Sequence, residues 1–345
     1  MLDHETKLEL LVYGVRTDLE PLRKGGAGPT DGLGFILKGS VISAPVVNDS
    51  RRYTPFRIEK SGKNYILYRN EKKEGKIDLP KAEYYSKTVD GFPAGKLVAL
   101  DGYDALVSAV SRKCIYWSEN KKCMFCNIQN GIKNAVVKKN PEKLAMAVKL
   151  AYEEDKSRHL TLTTGTLEGK DRGARALIEA VKAVKREVDI DVHVQIEPVN
   201  VFWIEKLYES GADTIGIHAE TFDEKIRYRV VPGKPQLEEY FRAWKHSVRV
   251  FGEWNVSSWL IAGLGETRES LVNGFRKMVD MDVYPFITPF RPPNGYSSPK
   301  LHFKKLTLIA EEIMEAAESM GIGPLKFRSG CPKCSGCSFI AELLT

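Results

Sequence analysis

Six cysteines have the most informative spacing in the chain, and they fall into two groups of three. The first triplet is Cys114, Cys123 and Cys126, and the second triplet is Cys331, Cys334 and Cys337. Soft thiolates at such short spacings bind zinc or an iron–sulfur cluster. Three protein ligands on a four-iron cluster leave one iron open to an outside ligand, which catalytic use of a cluster requires. The two triplets therefore predict metal chemistry at two places.

The rest of the sequence argues against disulfide bonds between these cysteines. The first residues lack the apolar stretch of a signal peptide, and no run approaches the roughly 18 apolar residues of a membrane span. We therefore expect a cytoplasmic protein that does not insert into a membrane. In a reducing compartment, cysteines are more often metal ligands or catalytic groups than disulfide partners.

The first triplet follows an apolar, β-leaning run over 105–111. In βα folds, active sites collect just beyond the carboxyl ends of the strands. Phe125 stands directly beside the last cysteine of this triplet, where an aromatic ring is suited to packing against a flat ligand. Spacing alone leaves two alternatives open: a structural zinc site with a distant fourth ligand, or reduced cysteines in the core.

The second triplet has the C-x2-C-x2-C spacing that begins a bacterial ferredoxin run, with Pro332 and Gly336 easing the bends. Structural zinc is less favoured, because tetrahedral zinc sites usually combine separated pairs of ligands with a fourth Cys or His. No histidine follows His302, and there is no seventh cysteine. We expect an auxiliary iron–sulfur cluster whose fourth ligand is Ser329, Arg328, a small molecule or the substrate.

Length and composition indicate a large soluble protein. The chain has 345 residues, of which 43% are hydrophobic and 28% charged, and its net charge is +7. These values are ordinary for a globular chain, and the positive charge is too diffuse to predict nucleic-acid binding. We expect three parts: a mostly β module over 1–100, a central α/β domain over 101–300, and a C-terminal helix with the second triplet over 301–345.

Within the first part, the Gly-rich segment 25–32 is interpreted as a structural turn. It lacks the Lys-Ser/Thr of a phosphate-binding loop and precedes a strand. A hairpin is predicted over 34–42 and another strand over 64–68.

The central part alternates between short apolar runs and helical patterns. Strands are predicted over 105–111, 159–164, 191–197, 214–218, 256–261 and 284–288. Helices are predicted from Asn140-Pro141, over 174–188 and 202–210, near Tyr240 and near Asn273, and a last long helix over 303–320. Repeated βα units imply parallel strands in a doubly wound sheet or a closed or partial barrel.

The segment from about Ala105 to Arg291 resembles the radical S-adenosylmethionine (SAM) superfamily. The resemblance rests on the cysteine loop after the first strand, Thr163-Thr164-Gly165-Thr166 after the second, and Leu260-Ile261-Ala262-Gly263-Leu264-Gly265-Glu266-Thr267 at the fifth. The family's usual first spacer is three residues, whereas eight separate Cys114 from Cys123. Strand-end polar residues and turn glycines are common singly, but their order behind the cysteine loop favours the family.

The resemblance implies an α/β fold with a partial (β/α)6 TIM-type barrel, and a first [4Fe-4S] cluster on the first triplet. It implies that SAM chelates the open iron and that one electron cleaves it to methionine and a 5′-deoxyadenosyl radical, which removes a hydrogen atom from a C–H bond. It also implies a set of SAM-binding residues: Phe125, Thr163, Thr164, Gly165, Gln195, Glu197, Glu220, Arg229, Gly263 and Gly265.

The overall layout also resembles the archaeal bipartite lipoyl synthases, biotin-synthase-like proteins in which two radical SAM subunits divide two sulfur insertions. This resemblance implies a sulfurtransferase that draws sulfur from a second [4Fe-4S] cluster, with Ser329 as a possible cluster ligand. The implied partners are a lipoyl carrier protein or peptide substrate, a second radical SAM subunit and an electron donor such as ferredoxin. The alternative enzyme is a radical SAM dehydrogenase or peptide-modifying enzyme in which the second cluster relays electrons. The alternative without catalysis is an iron–sulfur or zinc-stabilised binding protein.

Overall fold

The computed structural model describes residues 2–22, 32–130, 132–292, 299–322 and 325–344. The predicted turn over 25–32 lies outside these residues except for Gly32. No helix within the described ranges is long and apolar enough to cross a membrane.

The N-terminal module is a five-stranded antiparallel sheet packed against one helix. The helix α1 (His4–Tyr13) begins after Asp3, whose carboxylate accepts a hydrogen bond from the Thr6 N–H at 2.8 Å. The strand order is β2-β1-β5-β4-β3. The strands are β1 (Leu33–Leu37), β2 (Ser40–Ala44), β3 (Phe56–Ser61), β4 (Asn64–Arg69) and β5 (Lys72–Asp78). The predicted hairpin and the predicted strand over 64–68 are confirmed.

Three short elements lead from this module into the main sheet: β6 (Thr88–Val89), β7 (Phe92–Pro93) and α2 (Ala94–Leu97). The main sheet then has seven strands in the order β14-β13-β12-β11-β10-β9-β8. They are β8 (Ala99–Asp101), β9 (Ala105–Ser111), β10 (His159–Thr164), β11 (Asp191–Gln195), β12 (Thr214–Gly216), β13 (Val256–Ala262) and β14 (Val283–Pro289). Strands β9 to β14 are parallel, and β8 adds an antiparallel edge.

Helices connect the parallel strands and cover one face of the sheet. They are α3 (Ile115–Ser118), α4 (Pro141–Asp155), α5 (Ala174–Glu187), α6 (Val201–Glu209), α7 (Glu224–Val230), α8 (Leu237–Phe251) and α9 (Arg268–Val279). On α5, for example, Leu177, Val181 and Val184 are fully buried. The curled sheet with its outer helices is a partial TIM-type barrel, which confirms the predicted fold class.

Local sequence signals account for most of these boundaries. The Asn140 side chain accepts a hydrogen bond from the Lys143 N–H at 2.9 Å and caps α4, as predicted. Strands β11 and β12 end two residues earlier than predicted, because their ladder stops where Gln195 pairs with Gly216.

The C-terminal part brings the second triplet back into the half-barrel. It contains α10 (Pro299–Ser319), α11 (Gly330–Cys334) and α12 (Ala341–Leu344). The Gly330 N–H donates to His159 Nδ1 at 3.2 Å on β10, and the Ser43 N–H of β2 donates to the Gly336 carbonyl at 2.8 Å. Residues 329–337, here called the cysteine segment, therefore lie between the main sheet and the N-terminal module.

We predict that Gly330→Ala lowers the free energy of unfolding more than Gly321→Ala does. Both glycines have a positive φ, 83° and 66°, so either alanine carries a backbone cost of about 1–2 kcal/mol. A Cβ at 330 would also lie 2.5 Å from the His193 ring, whereas nothing lies within 4 Å at 321. Overpacking adds about 1–3 kcal/mol. Urea denaturation of both variants measures the difference, and equal losses would contradict the placement of the cysteine segment.

Candidate functional site

The first triplet lines a single cavity at the carboxyl ends of the strands. This first cavity encloses about 740 Å³ including its open mouth, a size suited to a small-molecule ligand. Besides the three cysteines, its lining residues are Tyr116, Phe125, Ile128, Thr163, Thr164, Gly165, Thr166, Gln195, Ile196, Glu197, His218, Glu220, Lys234 and Trp259. The loops that follow β9 to β12 contribute most of them.

Burial determines the charge state of the thiols in the first triplet. Burial raises the pKa of Cys123 to about 12, so its charged form requires a nearby cation, which a bound cluster supplies. Burial also raises the pKa of Cys126, although the Ile128 N–H and the Trp117 indole act to lower it. The Trp117 N–H is buried beside Cys126. It is therefore available to a cluster sulfur.

Seven of the ten residues predicted to bind SAM line the first cavity. They are Phe125, Thr163, Thr164, Gly165, Gln195, Glu197 and Glu220. Arg229 lies elsewhere: its guanidinium donates to the Leu264 carbonyl at 3.0 Å. Gly263 and Gly265 form the turn after β13, with φ of 105° and 111°, and do not line the cavity.

Gly165 lets the loop after β10 approach the first triplet. A Cβ at this position would lie 2.1 Å from the Lys113 carbonyl oxygen and 3.0 Å from Cys114 Cβ. The glycine is therefore required by this close approach, which fixes the start of the cysteine loop.

Glu197 is held by three side chains, of which the sequence analysis had named only Thr166, as part of the motif after the second strand. Tyr116 and Thr166 donate hydrogen bonds to its carboxylate at 2.8 and 3.2 Å, and Arg172 forms an ion pair with it at 3.3 Å. Burial nevertheless raises the pKa of Glu197. The arrangement fixes one carboxylate in the cavity wall, where it can accept hydrogen bonds from a polar ligand.

Glu220 and Lys234 form a buried ion pair in the same wall. Glu220 has a φ of 64°, rare for a residue with a side chain and common at functional sites. Burial lowers the pKa of Lys234, but the Glu220 carboxylate outweighs it and holds this pKa well above its usual value. The Lys234 ammonium also donates to the His218 carbonyl at 3.3 Å. No motif marked Lys234, since only folding brings it to Glu220.

The second triplet lines another cavity, of about 540 Å³, on the inner face of the sheet. The Gln195 amide donates to the Cys331 sulfur at 3.3 Å. Burial raises the pKa of Cys331 to about 12 and that of Cys334 well above its usual value. A Cβ on Gly102 would lie 2.6 Å from the Cys334 sulfur, so the glycine that follows β8 allows the backbone to approach this cysteine closely.

Ser329 and Arg328, the predicted protein ligands of the second cluster, do not line this cavity. The Ser329 hydroxyl is buried and lies 2.8 Å from Thr214 Oγ1. Arg328 pairs with Asp191 at 2.8 Å and with Asp213 at 3.0 Å, at the amino edge of the sheet. Ligation by Ser329 stays a prediction.

Across the described ranges, no three His, Cys, Asp or Glu side chains are arranged to hold a single metal ion. In a four-iron cluster each thiolate binds its own iron atom, so the sulfurs need not converge on one point.

The two cavities share part of their walls. Thr163, Gln195 and Trp259 line both of them. Trp259 was missed by the sequence reasoning, because an aromatic residue within a buried strand is usually part of the core. The shared wall places the two triplets on either side of one layer of side chains.

We predict that Lys234→Met lowers the free energy of unfolding by about 3–5 kcal/mol, because it leaves the Glu220 carboxylate buried without its cation. Adding Glu220→Gln should restore part of the loss. The control is Lys206→Met, which removes an exposed ion pair with Glu209 and should cost at most about 1 kcal/mol. Urea denaturation tests this, and similar losses for both lysine variants would contradict a buried pair.

Comparisons with known proteins find similarity mainly in the central part of the chain. Residues 120–277 match the radical SAM superfamily. The chain is 25% identical over 163 residues to a protein named lipoyl synthase from Alkaliphilus metalliredigens (strain QYMF), covering 46% of this chain and 54% of that protein. The chain thus spans about half the length of this curated relative.

Two of the solved structures that align with this chain serve as examples. Methylornithine synthase (PylB) aligns with a TM-score of 0.49 and 19% identity, covering 63% of this chain and 62% of the other. The FeFe-hydrogenase maturase HydG from Carboxydothermus hydrogenoformans aligns with a TM-score of 0.47 and 19% identity, covering 61% and 51%.

The matched segment begins after Cys114 and includes Cys123 and Cys126, the last two cysteines of the first triplet. Glu197, Glu220 and Lys234 in the wall of the first cavity also fall within it. The similarity to the radical SAM superfamily therefore covers the central part of the chain, which is less than half of its residues.

Proposed function

We propose that the chain is a radical SAM enzyme that inserts sulfur into an unactivated C–H bond, as part of lipoyl synthesis. The observation that carries the proposal is the wall of Thr163, Gln195 and Trp259 that the two cysteine cavities share. A substrate carbon at this wall would be within reach of both cavities. The likeness to a protein named lipoyl synthase supports the choice of sulfur insertion.

Each triplet would hold one [4Fe-4S] cluster, and SAM would occupy the first cavity beside the first cluster. When bound, the first cluster would supply the electron that cleaves SAM, and the resulting 5′-deoxyadenosyl radical would take the substrate hydrogen atom to become 5′-deoxyadenosine. The second cluster would supply the sulfide, and its iron would accept the electron that carbon–sulfur bond formation releases. Because each cluster would have only three cysteine ligands, one iron of each cluster would be open to a ligand other than cysteine.

The side chains of the first cavity orient SAM and exclude water. Glu197 and Glu220 present fixed carboxylates to hydroxyl or ammonium groups, and Lys234 presents an ammonium to a carboxylate. Val230, Ile261 and Leu264 form an apolar cluster against Cys123, with Phe125 packed beside it. Such a dry wall protects a radical from side reactions.

The proposed acceptor is an octanoyl chain carried on a lysine of a lipoyl carrier protein, or a peptide that mimics it. A second radical SAM subunit would perform the other insertion, and an electron donor such as ferredoxin would reduce the first cluster. The net charge of +7 suits an acidic carrier protein.

We predict that the anaerobically reconstituted chain contains about eight iron and eight sulfide per chain, as expected for two four-iron clusters. Cys123→Ala should abolish SAM cleavage. Cys334→Ala should retain cleavage but form no thiolated product, because only the second cluster is lost. Chromatography of 5′-deoxyadenosine and mass spectrometry of an octanoyl-lysyl peptide, with the partner subunit present, measure both effects.

The source of the sulfur separates the proposal from its alternatives. Reconstitution with isotopically labelled sulfide should transfer the label to the product. SAM cleavage without a thiolated product, alongside an intact second cluster after turnover, would favour an electron-relaying cluster instead. Zinc without sulfide at both sites would reject enzymatic radical chemistry.

A further inference from the structure

Gln195 and Trp259 stand between the two cavities, and both carry N–H groups. Gln195 ends β11, and Trp259 lies in the middle of β13. The Gln195 amide already donates to the Cys331 sulfur at 3.3 Å. This hydrogen bond joins residues 136 positions apart and reaches across the lining of the second cavity.

Trp259 lines the same cavity as Cys331 and carries a second N–H donor. Its indole N–H is buried and has no hydrogen-bond partner among the described residues. Burial raises the pKa of the Cys331 thiol, and the Trp259 side chain acts to lower it. The indole is stacked between His218, at 5.1 Å, and Phe286, at 5.8 Å between ring centroids. These stacks restrict rotation of the ring, so the N–H keeps its position in the wall of the second cavity.

Hydrogen bonds to the sulfurs of an iron–sulfur cluster change its reduction potential. A donor stabilises negative charge on sulfur, and the reduced cluster carries one more negative charge than the oxidised cluster. Donors therefore favour the reduced form and raise the potential. The effect is stronger in a buried cavity, where the local dielectric constant is low.

We propose that Gln195 and Trp259 are positioning residues that raise the reduction potential of the cluster on the second triplet. The inference rests on the proposed function in one respect: it takes the group on the second triplet to be an iron–sulfur cluster. It also gives Gln195 a role different from the SAM-binding role that the family resemblance implied.

The test is a redox titration of the reconstituted full-length chain, followed by electron paramagnetic resonance (EPR). Cys123→Ala in the background removes the first cluster, so the remaining signal belongs to the second. Gln195→Leu removes the amide donor at similar volume, and Trp259→Phe removes the N–H while keeping an aromatic ring. Each variant should shift the midpoint potential to a more negative value, and the double variant should shift it further.

Thr161→Val is the matched control, because Thr161 lines the second cavity and no described hydrogen bond joins it to a cysteine. It should leave the midpoint potential unchanged. Gln195→Glu serves as a second variant if Gln195→Leu does not retain iron, since it keeps the shape of the side chain but removes the N–H donor at neutral pH. It too should shift the potential to a more negative value.

The outcomes separate this inference from the function it rests on. The inference would be overturned if Gln195→Leu (or Gln195→Glu in its place) and Trp259→Phe had the same midpoint potential as Thr161→Val, with unchanged iron content. The proposal of sulfur insertion would still stand in that case. A second site that binds zinc, or gives no redox-active signal in the parent chain, would overturn both.

Discussion

The position of the cysteine segment, 329–337, determines what the two triplets can do together. Arg328 anchors its start at the amino edge of the sheet through Asp191 and Asp213, and Gly330 lies against the His193 ring. From there the chain runs along the inner face of the sheet until Cys331 reaches Gln195 at the end of β11. Without this path, the second triplet would lie outside the half-barrel and could not share a wall with the first cavity.

The N-terminal module holds the cysteine segment from the opposite side. Ser43 of β2 donates to the Gly336 carbonyl, and the Lys7 ammonium, fully buried on α1, donates to the Ser335 carbonyl at 3.1 Å. Both the module and the cysteine segment lie outside the residues that match the radical SAM superfamily. The two ends of the chain therefore build the second site jointly, on a scaffold that the central domain provides.

Sequence reasoning succeeded where the signal is local. The run over 105–111 and the Asn140 cap predicted β9 and the start of α4, because periodicity and capping act within a few residues. The cysteines could be found by their spacing. Lys234, Trp259 and the bond from Gln195 to Cys331 could not be found, since each depends on residues that meet only in the folded chain. Arg229 donates to the Leu264 carbonyl and does not line the first cavity, and its role in SAM binding stays a prediction.

Burial has two consequences for the cysteines. It raises the pKa of Cys123 and Cys331, so the thiolate that a metal requires is costly until positive charge arrives with the metal. The same burial keeps water from the walls around these sulfurs, which a carbon radical would need in order to survive until it meets its acceptor. Each N–H donor near a sulfur, from Trp117 beside Cys126 and from Gln195 in the second cavity, offsets part of the charge cost without admitting water. The walls thus stabilise anionic sulfur with fixed protein dipoles in place of solvent.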